Sequence, residues 1–139
     1  MNAYVDTSVL LRKVLGESGA LRQWSSIRIA LSSELIVVEA QRTIDRARLQ
    51  LQLSDDEVAN RRGDILQALG AIHLARLNRA VLDRAAEPFP TVLGTLDAIH
   101  LATAILLRET NTDLVFATHD AQLAIAARSV GFPVIGNAK

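Results

Sequence analysis

Short apolar runs rich in branched residues alternate along the chain with longer stretches of helical period, the pattern of a parallel α/β sheet whose strands are covered on both faces. The runs place strands at Asn2 to Val5, Ile27 to Leu31, Ala71 to Leu74, Leu114 to Ala117 and Pro133 to Ile135. Helices are predicted to begin near Ser8, Ser33, Ser54, Arg79, Thr95 and Ala121. Some carry their own punctuation. Ser54-Asp55-Asp56-Glu57 has the form of a capping box, and Gly131 followed by Pro133 is a helix stop. Leu49 to Leu53 alternates with period two between two helical patterns and is assigned as a connector. No repeat, low-complexity tract or linker divides the sequence, so a single domain, 1–139, is expected.

Composition narrows the class. A chain near this length buries roughly 70% of the surface that its unfolded form exposes, so 139 residues suffice for a core without staples. With no cysteine, disulfide scaffolds, thiolate zinc sites and cysteine nucleophiles are excluded. The most apolar stretch, Ala98 to Leu107, falls well short of the roughly 20 residues that cross a bilayer. No basic segment and apolar run precede the first strand as a signal peptide would. A soluble cytoplasmic domain without membrane contact is therefore expected. The 15 basic and 15 acidic residues balance, so any surface for nucleic acid has to be a local patch.

The acidic residues fall at telling places. Asp6 follows the first strand and Asp120 the fourth, each before a helix, and in a parallel sheet with right-handed crossovers all such ends share one edge. Helix N-capping is the competing role for both. Asp97 opens a helix that is apolar nearly all round, where an ionised carboxylate needs a partner; Thr95 is an alternative cap and the helix dipole part of the compensation. Glu39 borders the apolar stripe of the second helix, with Arg42 at i+3 as its competing ion-pair partner, whereas Glu34 is accounted for by the helix dipole. Four converging acids make an all-oxygen site suited to Mg²⁺ or Mn²⁺, because carboxylates packed together either protonate or recruit positive charge.

These residues resemble a known family. Tyr4-Val5-Asp6-Thr7-Ser8-Val9-Leu10, Ser33-Glu34-Leu35-Ile36-Val37-Val38-Glu39, Leu96-Asp97-Ala98-Ile99-His100-Leu101-Ala102 and Ala117-Thr118-His119-Asp120, in this order, resemble the PIN-domain ribonucleases and among them the VapC-like toxins of type II toxin-antitoxin systems. The resemblance implies a three-layer α/β sandwich with a five-stranded parallel sheet. It implies further that Asp6, Glu39, Asp97 and Asp120 bind Mg²⁺ or Mn²⁺, with Thr7 and Thr118 as supporting hydroxyls, and that the chain forms a homodimer and pairs with an antitoxin. His119 departs from the small or polar residue expected at its position.

The expected reaction is hydrolysis of an RNA phosphodiester, with Asp6 and Asp97 as metal ligands, Asp120 as a ligand or holder of a second metal, and Glu39 as a ligand or orienter of the attacking water. Of the 15 basic residues 13 are arginine, the side chain that grips phosphate bidentately; Arg42 and Arg46 are the candidates for RNA contact, with ion pairs to Glu39 and Asp45 as their competing role. One Trp, one Tyr and three Phe argue for RNA read by shape over several stacked bases. His100 is expected to donate to Asp97, His73 to be structural, and a zinc pair from His100 and His119 is the softer alternative. For the helix-rich stretch from Ser33 to Leu69, the apolar Ile44, Leu49, Leu51 and Leu53 are either partner surface or ordinary core. Two rival functions stay in view: an inactive PIN-like module that binds RNA or protein, and a phosphatase with Asp6 as nucleophile. The second lacks the aspartate that haloacid dehalogenase-like chemistry wants two positions on, where this chain has Ser8.

Overall fold

A computed structural model describes residues 1–137. Five strands, β1 (Asn2–Val5), β2 (Ile29–Ser33), β3 (Ile72–Ala75), β4 (Val115–Ala117) and β5 (Val134–Ile135), form one sheet in the order β3-β2-β1-β4-β5. Every pairing is parallel, with Ala3 opposite both Ala30 and Val115. Six helices connect them: α1 (Thr7–Val14), α2 (Leu35–Leu51), α3 (Asp55–Leu69), α4 (Arg79–Ala86), α5 (Thr95–Arg108) and α6 (Ala121–Ser129). The PIN-like α/β sandwich implied by the sequence is the fold observed.

The period-two alternation of the central strands explains the layers. Tyr4 and Phe116 point to one face, where they meet Leu101 and Ala104 of α5 and Leu123 of α6. Val5 and Ala117 point to the other, against Val9 of α1, and Leu10 of α1 there joins Ile36 and Ile44 of α2 and Ile65 of α3. Burial of both faces is why these strands read as continuous apolar runs.

Local differences from the sequence reading have physical causes. β2 starts at Ile29, two residues later than expected, because a 3-10 turn at Trp24–Ser26 occupies the approach and Ile27 ends it. It runs on through two buried serines that satisfy themselves: the Ser32 hydroxyl donates to the Val5 carbonyl at 2.7 Å, and Ser33 Oγ accepts the Leu35 N–H at 3.0 Å. α2 therefore opens at Leu35, not Ser33, and the predicted connector at Leu49 to Leu53 is largely its last turn. The helix continues through Leu51 and stops at Gln52, which takes the left-handed conformation at φ 51°. Ile44 is core, whereas Leu49 and Leu51 are exposed. α5 is capped by Gly94 with no side-chain bond, so Thr95 is its first residue and not its cap. The capping box at Ser54 and Glu57 forms in both directions.

From β1 the chain moves outward to β2 and β3, then returns across β1 to β4 and β5. The order reverses between β1 and β4, and the carboxyl ends of those strands border the crevice where ligands bind in open α/β sheets.

Candidate active site

Asp6 sits at that reversal. It is the N-cap of α1, accepting the Val9 N–H at 3.1 Å, so the capping role weighed for it is present. It also does more: the Ser8 hydroxyl donates to Oδ1 at 2.6 Å and the Thr118 hydroxyl, from the end of β4, donates to Oδ2 at 2.5 Å. Burial pushes the Asp6 carboxyl above its ordinary range, and the Ser8 and Thr118 hydroxyls, the charge of His100 and the Val9 N–H offset only part of that. Thr118 is fully buried, and its oxygen in turn accepts the Asp120 N–H at 3.0 Å. One hydroxyl thus ties the carboxylate after β1 to the backbone of the residue that caps α6.

Glu39 projects from the second turn of α2 and is half-buried. Its Oε1 receives the Thr7 hydroxyl at 2.6 Å and His100 Nε2 at 2.5 Å. The other ring nitrogen, Nδ1, meets the hydroxyl of fully buried Tyr4 at 2.6 Å. Because Nε2 faces a carboxylate it carries the proton, so in the neutral ring Nδ1 accepts from Tyr4; this tautomer follows from the network. Burial raises the Glu39 carboxyl, but the His100 bond and charge and the Thr7 hydroxyl outweigh it, and the net shift is downward. With both donors on Oε1, Oε2 has no intramolecular partner among the described residues. The expected bond from His100 to Asp97 is not made: the ring reaches α2 and β1 instead. Nor does Arg42 pair with Glu39; it bonds Asp45 at 3.1 Å.

Asp97, in the first turn of α5, is half-buried. Burial raises its carboxyl, and the neighbouring charges of Asp120, Asp6 and Glu39 push on it too, with only His100 pulling the other way. The four acids named from the sequence therefore share one electrostatic field. Asp120 is exposed and caps α6, with Oδ1 accepting the Leu123 N–H at 2.9 Å. Among the described residues Asp6, Asp97 and Asp120 have no Lys or Arg within ion-pair distance.

Arg42 and Arg46 line a cavity of about 310 Å³ with Thr7, Glu39 and Leu96. Arg46 has no carboxylate partner among the described residues and only a long contact, 3.4 Å, to Thr43. Other groups lie away from it: His73 is exposed on β3, and Glu34 Oε1 accepts the Leu77 N–H at 2.7 Å, a bond between the ends of β2 and β3 that the helix dipole does not account for.

A family model described as PIN domain matches residues 3–129, a span that contains all four acids. The chain belongs to the PIN-domain family. It is 35% identical over 136 residues to Ribonuclease VapC46 of Mycobacterium tuberculosis (strain ATCC 25618 / H37Rv), with 95% of each chain covered, and is VapC-like. The PAE2754 protein from Pyrobaculum aerophilum, known from a crystal structure, shares the fold: the TM-score is 0.57 at 16% identity, over 96% of this chain and 83% of that one. No helix among the described residues of this PIN domain is long and apolar enough to cross a membrane.

The donor chemistry of the PIN-domain site fits a hard divalent cation: carboxylate oxygens from Asp6, Asp97 and Asp120 without a cationic side chain among the described residues, with the charges of Asp120, Asp6 and Glu39 raising the proton affinity of Asp97. Among the described residues no three acids or histidines already stand at metal-ligand spacing. A zinc pair from His100 and His119 is not assembled, since both ring nitrogens of His100 are already engaged, by Tyr4 and Glu39. Three participants escape a reading by strand ends. Tyr4 and Ser8 flank Asp6 at two residues on either side, and His100 reaches Glu39 only through tertiary packing. The available signal was His100 itself, a polar ring in an otherwise apolar helix that has to find a partner.

Proposed function

We propose that this PIN domain is a Mg²⁺- or Mn²⁺-dependent endoribonuclease and acts in the cytoplasm as the toxin of a toxin-antitoxin pair. The observation that carries the reading is the group of Asp6, Asp97 and Asp120, in one field with Glu39 and with no cationic side chain on any of the three. The ribonuclease named among its relatives supports the substrate class.

Asp6, Asp97 and Asp120 would hold the cation, with Glu39 contributing Oε2. A bound divalent cation lowers the pKa of water and stabilises charge that builds on a phosphate in flight. The chain's own residues do the rest. Ser8 and Thr118 fix the rotamer of Asp6, so that its carboxylate needs little reorganisation on loading. Thr7 and His100 hold Glu39 ionised, with Oε2 available to bind the cation or to orient a water. Arg46, beside Glu39, supplies positive charge for the polyanionic backbone.

Titration calorimetry with Mn²⁺ and an RNA cleavage assay with and without chelator test the proposal. Wild-type protein is expected to bind Mn²⁺ and cut RNA only in its presence, and Asp6→Asn and Asp97→Asn to lose both while still folding. Native-rate cleavage by either variant would refute the assignment. Metal binding without cleavage would favour the binding-module reading. Co-expression with the product of an adjacent antitoxin gene is expected to relieve growth arrest caused by this chain.

A further inference from the structure

On the β5 side of the acid group, at the same strand edge, lies a second cavity of about 240 Å³. The loop after α1 supplies Gly19, Ala20, Arg22 and Gln23, and the chain ends of β4 and β5 supply His119 and Gly136. Nothing in the acid group uses these side chains. Their polar capacity is open: Arg22 is exposed and has no ion pair, and Gln23 makes no side-chain hydrogen bond, both among the described residues. His119 is held by its Nδ1–H on the Gly136 carbonyl, which leaves Nε2 as an acceptor that is shielded from bulk water and has no partner. The wall is fixed to the acid group by two short links. The His119 N–H donates to Ser8 Oγ at 3.0 Å, and that hydroxyl donates to Asp6 Oδ1.

We propose that this cavity is a subsite for one unstacked ribonucleotide of the substrate, next to the phosphate that is cut. The inference rests on the nuclease reading and adds to it where the strand lies. The cavity offers what single-stranded RNA recognition uses: an imidazole and a guanidinium plane for stacking, with the Gln23 amide to meet a base edge. Arg22 beyond the acid group and Arg46 before it put a cation on either side, as a phosphodiester backbone passing the acids requires. Shape readout of a duplex, favoured by the scarcity of Phe, Tyr and Trp, makes no use of such a cavity. A base seated in the cavity implies a substrate with at least one splayed base.

The test is binding, kept apart from cleavage. Fluorescence polarisation of a labelled short single-stranded RNA is measured in chelator with the full chain, wild type and Arg22→Ala/Gln23→Ala, using intact RNA and RNAs with one abasic position each. The double variant is expected to melt like wild type and to bind about tenfold more weakly, with a salt slope smaller by about 1. One abasic position is expected to cost wild type a similar factor and the double variant nothing. Equal affinity of the two proteins, or no sensitive position, overturns the subsite even where cleavage is normal. Binding as expected with no cleavage under Mn²⁺ overturns the nuclease reading instead and leaves an RNA-binding cavity.

Discussion

Replacing Thr118 by valine tests whether one buried hydroxyl organises the acid group. The change keeps the shape of the side chain but removes the donor to Asp6 Oδ2 and the acceptor of the Asp120 N–H. A hydrogen bond to an ionised group contributes about 1.5–3 kcal/mol, and the freed N–H adds little because exposed Asp120 lets water reach it. The expected loss with Asp6 ionised is therefore about 1.5–3 kcal/mol, which lowers Tm by about 5–9 °C at roughly 3 °C per kcal/mol for a domain this size. The loss depends on pH. Burial already raises the Asp6 carboxyl, and valine raises it further, so acidification protonates the group and turns the lost bond into an ordinary neutral one. Once the group is protonated, that leaves about 1 kcal/mol, or about 3 °C. Calorimetric melts in chelator over a pH series downward from pH 8, with Thr118→Ser as the control that keeps the hydroxyl, measure both values. A depression below about 2 °C at pH 8, or one that does not shrink as the pH falls, would show that the bond does not hold Asp6.

Further outcomes follow from the same geometry. Removal of the imidazole in His100→Leu takes a donor from Glu39 and leaves the Tyr4 hydroxyl without its acceptor; Mn²⁺ affinity by calorimetry is expected to fall at least about tenfold, with partial recovery in His100→Gln. Unchanged affinity in His100→Leu would count against its positioning role. In the metal-free protein, Asp6 and Asp97 bind protons more tightly folded than unfolded, so stability is expected to fall as pH rises through their raised values. Glu39, shifted down, loses its contribution only below the ordinary carboxylate range and does not cancel that trend. Tm in chelator should thus fall as the pH rises above the ordinary carboxylate range, and Mn²⁺ should raise Tm more at the higher pH; a metal-free Tm that rises with pH there would contradict the shifts. Gly136 has φ +94°, and a Cβ there would stand 2.6 Å from the Thr118 carbonyl oxygen. Urea denaturation of Gly136→Ala is expected to show a loss of about 2 kcal/mol or more, and a neutral result would mean that the β4 and β5 ends separate easily.

What could be read from the sequence was whatever depended on local pattern. The strand ends put Asp6 and Asp120 on one edge because parallel topology leaves no other arrangement, and the apolar surroundings of Asp97 marked a carboxylate in need of compensation. Ser32 and Ser33 misled the reading of β2, since hydroxyls that satisfy themselves against Val5 and Leu35 look like loop when their partners are unknown. Leu49 and Leu51 misled it at the end of α2, where two exposed leucines imitate period-two alternation. The partner of His100 was out of reach altogether. Asp97 lies three residues away on the same helix, yet Glu39, 61 residues away in sequence, is the group the packed ring meets.

The pairing of β1 with β4 has a bearing on timing. Thr118 stands 112 residues after Asp6, so a growing chain that adds about 5–20 residues per second spends about 6–22 s with Asp6 made and its β4 partner absent. During that interval the central strand has β2 on one flank and an open edge on the other, and the acid group does not exist as a unit. Any hydrolytic capacity of this chain is therefore withheld from the nascent polypeptide by topology alone.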